Sequence, residues 1–387
     1  MSGSSPAVAI GGTGASGAQV QLRGLIKAFG NFRAVDNISL DIPAGAFVSL
    51  LGPSGSGKTT TLNLIAGFLL PDGGDILFDD KPVSNIPSHR RNIGMVFQSY
   101  ALFPHMTVAD NVGFPLKMRT RLRGGDARDR ISEMLSLMRL SHLEGRYPRQ
   151  LSGGQQQRVA MARALVSSPR LLLMDEPLGA LDKKLREQMQ IEIKHIHRTV
   201  GTTIVYVTHD QTEALTMSDL VVVMHQSRVA QVGTPRALYD APANAFVADF
   251  LGDSNLLEVR VRDESSDLIT TATADGHTLR IRKHDGVPRA GERAALLIRP
   301  ADITVAQGRG HAGDHQTLSG TISDISYHGD GYRISVPAAG GTLQAIVPRT
   351  EGAHLERGQM VTLSWPASVG RLLPIDGADN VMGGAET

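Results

Sequence analysis

Short apolar runs alternate with stretches of helical period over residues 19–252. Residues 47–51 (FVSLL) enter a glycine-rich loop, 171–174 (LLLM) end at Asp175, and 203–207 (TIVYV) and 221–224 (VVVM) follow. Runs of four or five such residues between polar breaks predict parallel strands covered on both faces. In residues 183–200, Leu185, Met189, Ile193, Ile196 and Val200 recur at steps of three and four, which predicts one amphipathic helix. Residues 105–170 carry few strand signals and predict an inserted helical lobe.

Beyond residue 253 the pattern changes. Short β-type segments at 256–261, 278–282, 295–298, 320–326, 332–336, 343–347 and 360–364 are punctuated by Asp-Gly pairs at 275–276, 285–286 and 330–331. Regular short strands with turn signals predict a small β-barrel or sandwich. Residues 1–18 are rich in Gly, Ser and Ala and predict a flexible tail, as do residues 376–387. Gly12, Gly14 and Gly17 spell a dinucleotide-binding GxGxxG, but a strand-like segment follows them where that motif needs a helix. The expected division is a tail at 1–18, an α/β domain at 19–253 with a helical subdomain at about 105–170, a β domain at 254–375 and a tail at 376–387.

Composition narrows the chemistry. The 387 residues carry 39 Lys plus Arg against 38 acidic residues, a balance that argues against a dedicated nucleic-acid binder. There is no cysteine, which excludes disulfides, thiolate metal sites and a cysteine nucleophile. No run approaches the ~18 apolar residues that span a bilayer, and no secretory signal is expected.

Gly52, Pro53, Ser54, Gly55, Ser56, Gly57, Lys58 and Thr59 match GxxxxGK[ST] between a predicted strand and a helical stretch that begins at Thr60. Such a loop turns backbone N–H groups onto phosphate oxygens. Lys58 would neutralise the β- and γ-phosphates, and the Thr59 hydroxyl would ligate Mg²⁺. The strand at 171–174 delivers Asp175 and Glu176 to the edge where ligands bind in parallel α/β sheets. Asp175 is the expected second Mg²⁺ ligand. Glu176, taken as the next residue of the strand, should point the other way and reach a water in line with the γ-phosphate as general base.

Between these two motifs stand Leu151, Ser152, Gly153, Gly154 and Gln155, followed by Gln156, Gln157 and Arg158. This string resembles the signature of the ATP-binding cassette (ABC) family. Gln98 resembles that family's Q-loop glutamine, residues 178–182 (LGALD) its D-loop with Asp182, and His209 its switch histidine. Phe29 resembles the aromatic that stacks on adenine. The resemblance implies an α/β P-loop core with an inserted helical subdomain, ATP and Mg²⁺ as ligands, and a head-to-tail homodimer. In that dimer Ser152, Gly153, Gly154 and Gln155 would cap the γ-phosphate held by the partner's loop, Asp182 would touch the partner, and His209 and Gln98 would line the γ-phosphate and the metal.

The stretch 98–108 (QSYALFPHMTV) leaves the Q-loop rich in apolar and aromatic residues. In the family this region receives a helix of the membrane subunit. Residues 297–300 (LIRP), 320–322 (GTI), 327–329 (YHG) and 361–365 (VTLSW) resemble the OB-like transport-associated (TOBE) domain of importer ATPases. Residues 193–197 (IKHIH), 214–219 (ALTMSD) and 242–248 (PANAFVA) are most similar to polyamine importer ATPases, with Leu220 standing where that group usually has arginine. The resemblance implies the ATP-hydrolysing subunit of an import complex, working with two transmembrane permease subunits and, indirectly, a solute-binding protein at the cytoplasmic face of the membrane. An importer of sugar, iron or another small solute stays open, as does a soluble ABC ATPase outside transport. No nucleic-acid partner is expected.

Overall fold

The computed structural model describes residues 17–119, 122, 124–284, 286, 288–308 and 315–375. The tail segments 1–16 and 376–387 lie outside the described residues, and with them all of the GxGxxG except Gly17. Gly17 and Ala18 were expected in the tail, yet both are buried. The Ala18 N–H donates to the Arg170 carbonyl (2.9 Å), and its own carbonyl accepts from the Thr203 hydroxyl (2.6 Å). Gly17 and Ala18 therefore belong to the folded unit and not to the expected tail.

The chain divides into two units, the described residues up to Arg236 and those from Ala237 onward. The first opens with strands β1 (Val20–Phe29), β2 (Phe32–Ile42) and β3 (Phe47–Leu51), and helix α1 (Lys58–Ala66). Next come β4 (Gly73–Phe78), β5 (Lys81–Pro82) and β6 (Ile93–Val96). The helical lobe holds α2 (Val108–Arg119), α3 (Gly124–Leu137) and α4 (Gly153–Leu165). The unit ends with β7 (Leu171–Asp175), α5 (Lys183–Val200), β8 (Thr203–Thr208), α6 (Gln211–Met217), β9 (Leu220–His225) and β10 (Arg228–Gly233).

The central sheet has the order β10-β9-β3-β8-β7-β6, parallel except for the edge strand β10. Its strands read as unbroken apolar runs because alternate residues serve different cores. Leu171, Leu173, Val205 and Val207 join a cluster with Leu62, Leu64 and Ile65 of α1. Leu172, Met174, Ile204 and Tyr206 join the lobe side with α4 and with Met189, Ile193 and Ile196 of α5. A second, antiparallel sheet, β2-β1-β4-β5, carries the first core outward. Helix α1 ends at Gly67 in left-handed backbone (φ 78°), and buried Arg91 closes that end. Its guanidinium donates to the carbonyls of Leu64 (2.8 Å), Ile65 (2.9 Å), Ile86 (2.6 Å) and Ser84 (2.9 Å).

The boundary helix α7 (Pro235–Asp240) is followed by α8 (Ala245–Leu251) and an antiparallel assembly. Strands β11 (Asn255–Glu264), β12 (Leu268–Thr273), β13 (Thr278–Arg282) and β14 (Arg293–Ile298) lead to β15 (Thr304–Ala306), β16 (His315–Thr321) and β17 (Asp324–Tyr327). Then come β18 (Gly331–Ala338), β19 (Gly341–Pro348), the short α9 (Arg349–Gly352), β20 (Met360–Pro366) and β21 (Arg371–Pro374). The sheets have the orders β13-β12-β11-β14-β21, β15-β20-β16 and β17-β18-β19 around one core that includes Trp365. The single strand expected at 320–326 is two strands. Ile322 donates its N–H to Gln359, whereas Ser323 donates to Ser335, so the chain changes sheets between them.

The division falls at residues 236/237, ahead of the 253/254 expected from sequence. Arg299 draws the segment 239–254 onto the strands. It donates to the carbonyls of Tyr239 (3.1 Å), Ala248 (2.8 Å) and Gly252 (3.0 Å) and to the Ser254 hydroxyl (2.5 Å), and it stacks on Tyr239 at 4.1 Å. Arg299→Ala is expected to lower the stability of this unit by roughly 2–3 kcal/mol, since one buried and three half-buried acceptors lose their donor. Urea unfolding followed by the fluorescence of Trp365 checks it.

Candidate active site

The phosphate-type loop runs from the end of β3 into α1. Glycine is required at Gly52, where a Cβ would collide with the Met224 carbonyl oxygen. It is required at Gly57 too, where φ is 95° and a Cβ would meet the Ala34 carbonyl. Helix α1 has neither a side-chain cap nor an acidic residue in its first turn, so its N–H groups face the loop without a competing anion. The buried Ser56 hydroxyl has no hydrogen-bond partner among the described residues. A polar loop with an orphaned donor and a bare helix start fits a phosphate chain.

Lys58 is buried, and its ammonium donates to the carbonyls of Gly52 (2.7 Å) and Pro53 (2.8 Å). Burial pulls its pKa below the usual lysine value, and the carboxylates of Glu176 and Asp175 oppose that shift. Thr59 donates its hydroxyl to Asp175 (3.0 Å). Burial raises the Asp175 pKa, while the Thr59 hydrogen bond works the other way. Two hard oxygen donors in contact beside a lysine fit a divalent cation that takes its remaining ligands from phosphates and water.

Glu176 differs from the expectation. Strand β7 ends at Asp175, and Glu176 has left-handed backbone (φ 43°) with its N–H bonded to Val207 of β8 (3.0 Å). Its direction is set by this turn before Pro177, not by strand alternation. The turn brings its carboxylate to 3.2 Å from Nδ1 of the exposed His209. Thus Lys58, Thr59, Asp175, Glu176 and His209 gather at the carboxyl ends of β3, β7 and β8.

Sequence reading missed the group behind His209. Arg186 donates to the Leu181 carbonyl (3.1 Å) and to Asp210 (3.2 Å), and lies 3.8 Å from buried Glu213. Glu213 accepts from Tyr206 (2.7 Å) and Thr208 (2.7 Å). One arginine so joins the 178–182 turn to the loop that carries His209. Its signal in the sequence was its place four residues after Asp182, within reach on a helix.

Phe29, Gln98 and Ser152 to Gln155 are not bonded to the central group among the described residues. Ser152 caps α4 reciprocally with Gln155, donating its N–H to the side chain (2.9 Å) and accepting the Gln155 N–H (3.4 Å). Gly154 lies against Leu185, where a Cβ would stand 3.1 Å from its side chain. Asp182 caps α5 by accepting from Leu185 (3.0 Å). Phe29 is 50% exposed at the tip of the β1–β2 hairpin, with the Lys27 ammonium 5.6 Å from its ring. Gln98 is exposed and lies two residues beyond β6; its chain neighbour Phe97 lines a groove of about 370 Å³ together with Phe68, Met95, Phe103, Phe114 and Met118.

Comparison with known proteins agrees with this geometry. Residues 35–179 match the ABC transporter family and residues 296–373 the TOBE domain. The chain is 46% identical over 351 residues to a spermidine/putrescine import ATP-binding protein, PotA, of Rubrobacter xylanophilus, covering 90% of this chain and 92% of the relative. It is 44% identical over 360 residues to the PotA of Nitrosomonas eutropha (92% and 99%) and 42% identical over 359 to PotA 2 of Pseudomonas aeruginosa (92% and 98%). A solved dimeric bacterial ABC transporter cassette superposes with a TM-score of 0.51 at 36% identity, covering 56% of this chain and 99% of that one. A second cassette, solved in its ADP conformation, gives 0.54 at 25% identity, covering 60% and 98%. With the phosphate loop, the acidic pair and the signature string in place, the chain belongs to the ABC transporter family as an ATP-binding ATPase followed by a TOBE domain.

Proposed function

We propose that this chain is the ATP-hydrolysing subunit of a polyamine importer. The observation that carries the chemistry is the cluster of Thr59, Asp175, Glu176 and His209 around Lys58, beside a loop fit for phosphates. Lys58, Ser56 and the start of α1 bind the phosphates of ATP. Thr59 and Asp175 would hold Mg²⁺, which supplies charge neutralisation between the β- and γ-phosphates when bound. Glu176 takes a proton from the attacking water, and His209, held at 3.2 Å, orients that carboxylate. Gln98 is assigned to the metal and the water.

The signature turn at Ser152 to Gln155 has no phosphate loop of its own chain bonded to it among the described residues. It is assigned to the ATP held by a second copy, with Asp182 at the same junction. The aromatic groove lined by Phe97 is assigned to a helix of one permease subunit, so that two copies of this chain serve the two permease subunits, since helix-in-groove contact suits such a surface. No helix among the described residues is long and apolar enough to cross a membrane. The chain is assigned to the cytoplasmic face, where ATP is found, and a solute-binding protein acts through the permease.

Polyamine is favoured as the solute by the names of the relatives. Uptake of labelled putrescine or spermidine into vesicles carrying the complex should require ATP inside. Uptake that proceeds without ATP would sink the assignment, and stimulation by a sugar or iron chelate instead would move it to another solute.

Phe29→Ala should raise the KM for ATP by roughly tenfold, the scale of losing about 1–3 kcal/mol of base stacking, with little change in kcat. Steady-state phosphate release over an ATP series checks it. An unchanged KM would return Phe29 to a purely structural role.

A further inference from the structure

The backbone just beyond Gln98 is strained. Tyr100 and Ala101 hold left-handed conformations in succession, φ 59° and 47°, and neither is glycine. Arg163, in the last turn of α4, holds them. Its two terminal nitrogens donate to the carbonyls of Tyr100 (2.8 Å) and Ala101 (2.7 Å). The guanidinium also faces the ring of Phe103, 5.5 Å from the centroid. Burial lowers its pKa, with no carboxylate acting on it among the described residues. Its fork is thus committed to this stretch of main chain.

The far end of the same segment is fixed separately. The buried Asn111 of α2 accepts the Phe103 N–H (2.8 Å) and donates to the carbonyls of Phe103 (3.1 Å), Met106 (3.1 Å) and Thr107 (3.0 Å). The strained pair lies between that anchor and β6, and Gln98 is on its β6 side. Arg163 and Phe103 also line the aromatic groove.

We propose that Arg163 is a positioning residue for Gln98. By pinning the left-handed pair at 100–101 it fixes where Gln98 stands, and a helix seated in the groove presses on the same guanidinium and ring. The inference rests on the assignment of Gln98 above.

The chain has no cysteine, so Ser99→Cys gives one labelling site beside Gln98. A nitroxide there is compared in three backgrounds: the parent, Arg163→Gln and Ala101→Gly. Glycine takes φ 47° without strain, so Ala101→Gly should melt at the parent's temperature or above it. Both variants should increase label mobility. In the unlabelled chain both should lower kcat by up to about 10²-fold, the scale of a small misplacement, with KM for ATP unchanged. Arg163→Lys, which keeps the charge but not the fork, should recover part of the kcat lost in Arg163→Gln.

Unchanged mobility and kcat in both variants would overturn the proposal. A change in Arg163→Gln alone would also overturn it, leaving Arg163 as a stabilising residue. Gln98→Ala is run beside them. If it keeps full kcat, the assignment of Gln98 fails and this inference with it. If it loses kcat while the other two do not, this inference alone fails.

Discussion

Glu176→Gln is expected to bind ATP as the parent does and to release phosphate roughly 10²–10⁴-fold more slowly, the usual scale for losing a general base. Its backbone is held by Val207 and its carboxylate by His209, contacts that an amide of the same shape can keep. Lys58 and Ser56, assigned to the phosphates, and Thr59, assigned to Mg²⁺, are untouched. Binding and turnover should therefore separate. The variant should also accumulate as an ATP-bound dimer, because the bridging nucleotide is no longer removed. Phosphate release and size-exclusion chromatography in ATP measure the two effects. Turnover within a few-fold of the parent would mean that another group accepts the proton.

Lys58→Ala should abolish the nucleotide response at its source. An ammonium buried beside a phosphate is a charge pair with little solvent screening. Its loss should weaken ATP by about 3 kcal/mol or more, roughly 10²-fold. Without nucleotide the sign reverses. The folded-state pKa of Lys58 lies below its unfolded value because burial disfavours the charge. The charged group therefore opposes folding at neutral pH, and that penalty fades as pH rises through the folded value. The variant should melt no lower than the parent alone, yet show no upward shift on adding ATP. A normal ATP-induced shift would remove Lys58 from the phosphate site.

The legibility of the chain followed how local each signal was. Helix α5 matches its predicted bounds because a single apolar stripe marks it, and β3 matches because it is covered on both sides. The β1–β2 pairing was hidden by register shifts at Leu22/Leu25, Leu25/Lys27 and Lys27/Ala28, which break the two-residue alternation that sequence reading depends on. Strand β12 was missed as well, since its threonines carry little hydrophobic contrast. At the site, the phosphate loop, the Asp175-Glu176 pair and the signature were readable as contiguous strings. The turn that aims Glu176 was not, because it depends on a bond to Val207 across the sheet. Arg186 and Arg163 act on partners 24 and 63 residues away, so no contiguous string announces those contacts, and the one local trace of Arg186 is its place four residues after Asp182.

Helix α1 carries opposite ends of one dipole to opposite charges. The guanidinium of Arg91 sits on its last carbonyls, and its first N–H groups open onto the phosphate loop. The nine-residue helix is too short to hold itself in water, so Arg91 and the packing of Leu62, Leu64 and Ile65 supply its rigidity from the far end. Little conformational entropy then remains for ATP to remove on arrival. The free energy of gripping the triphosphate would then be left over for the proposed pairing of two cassettes.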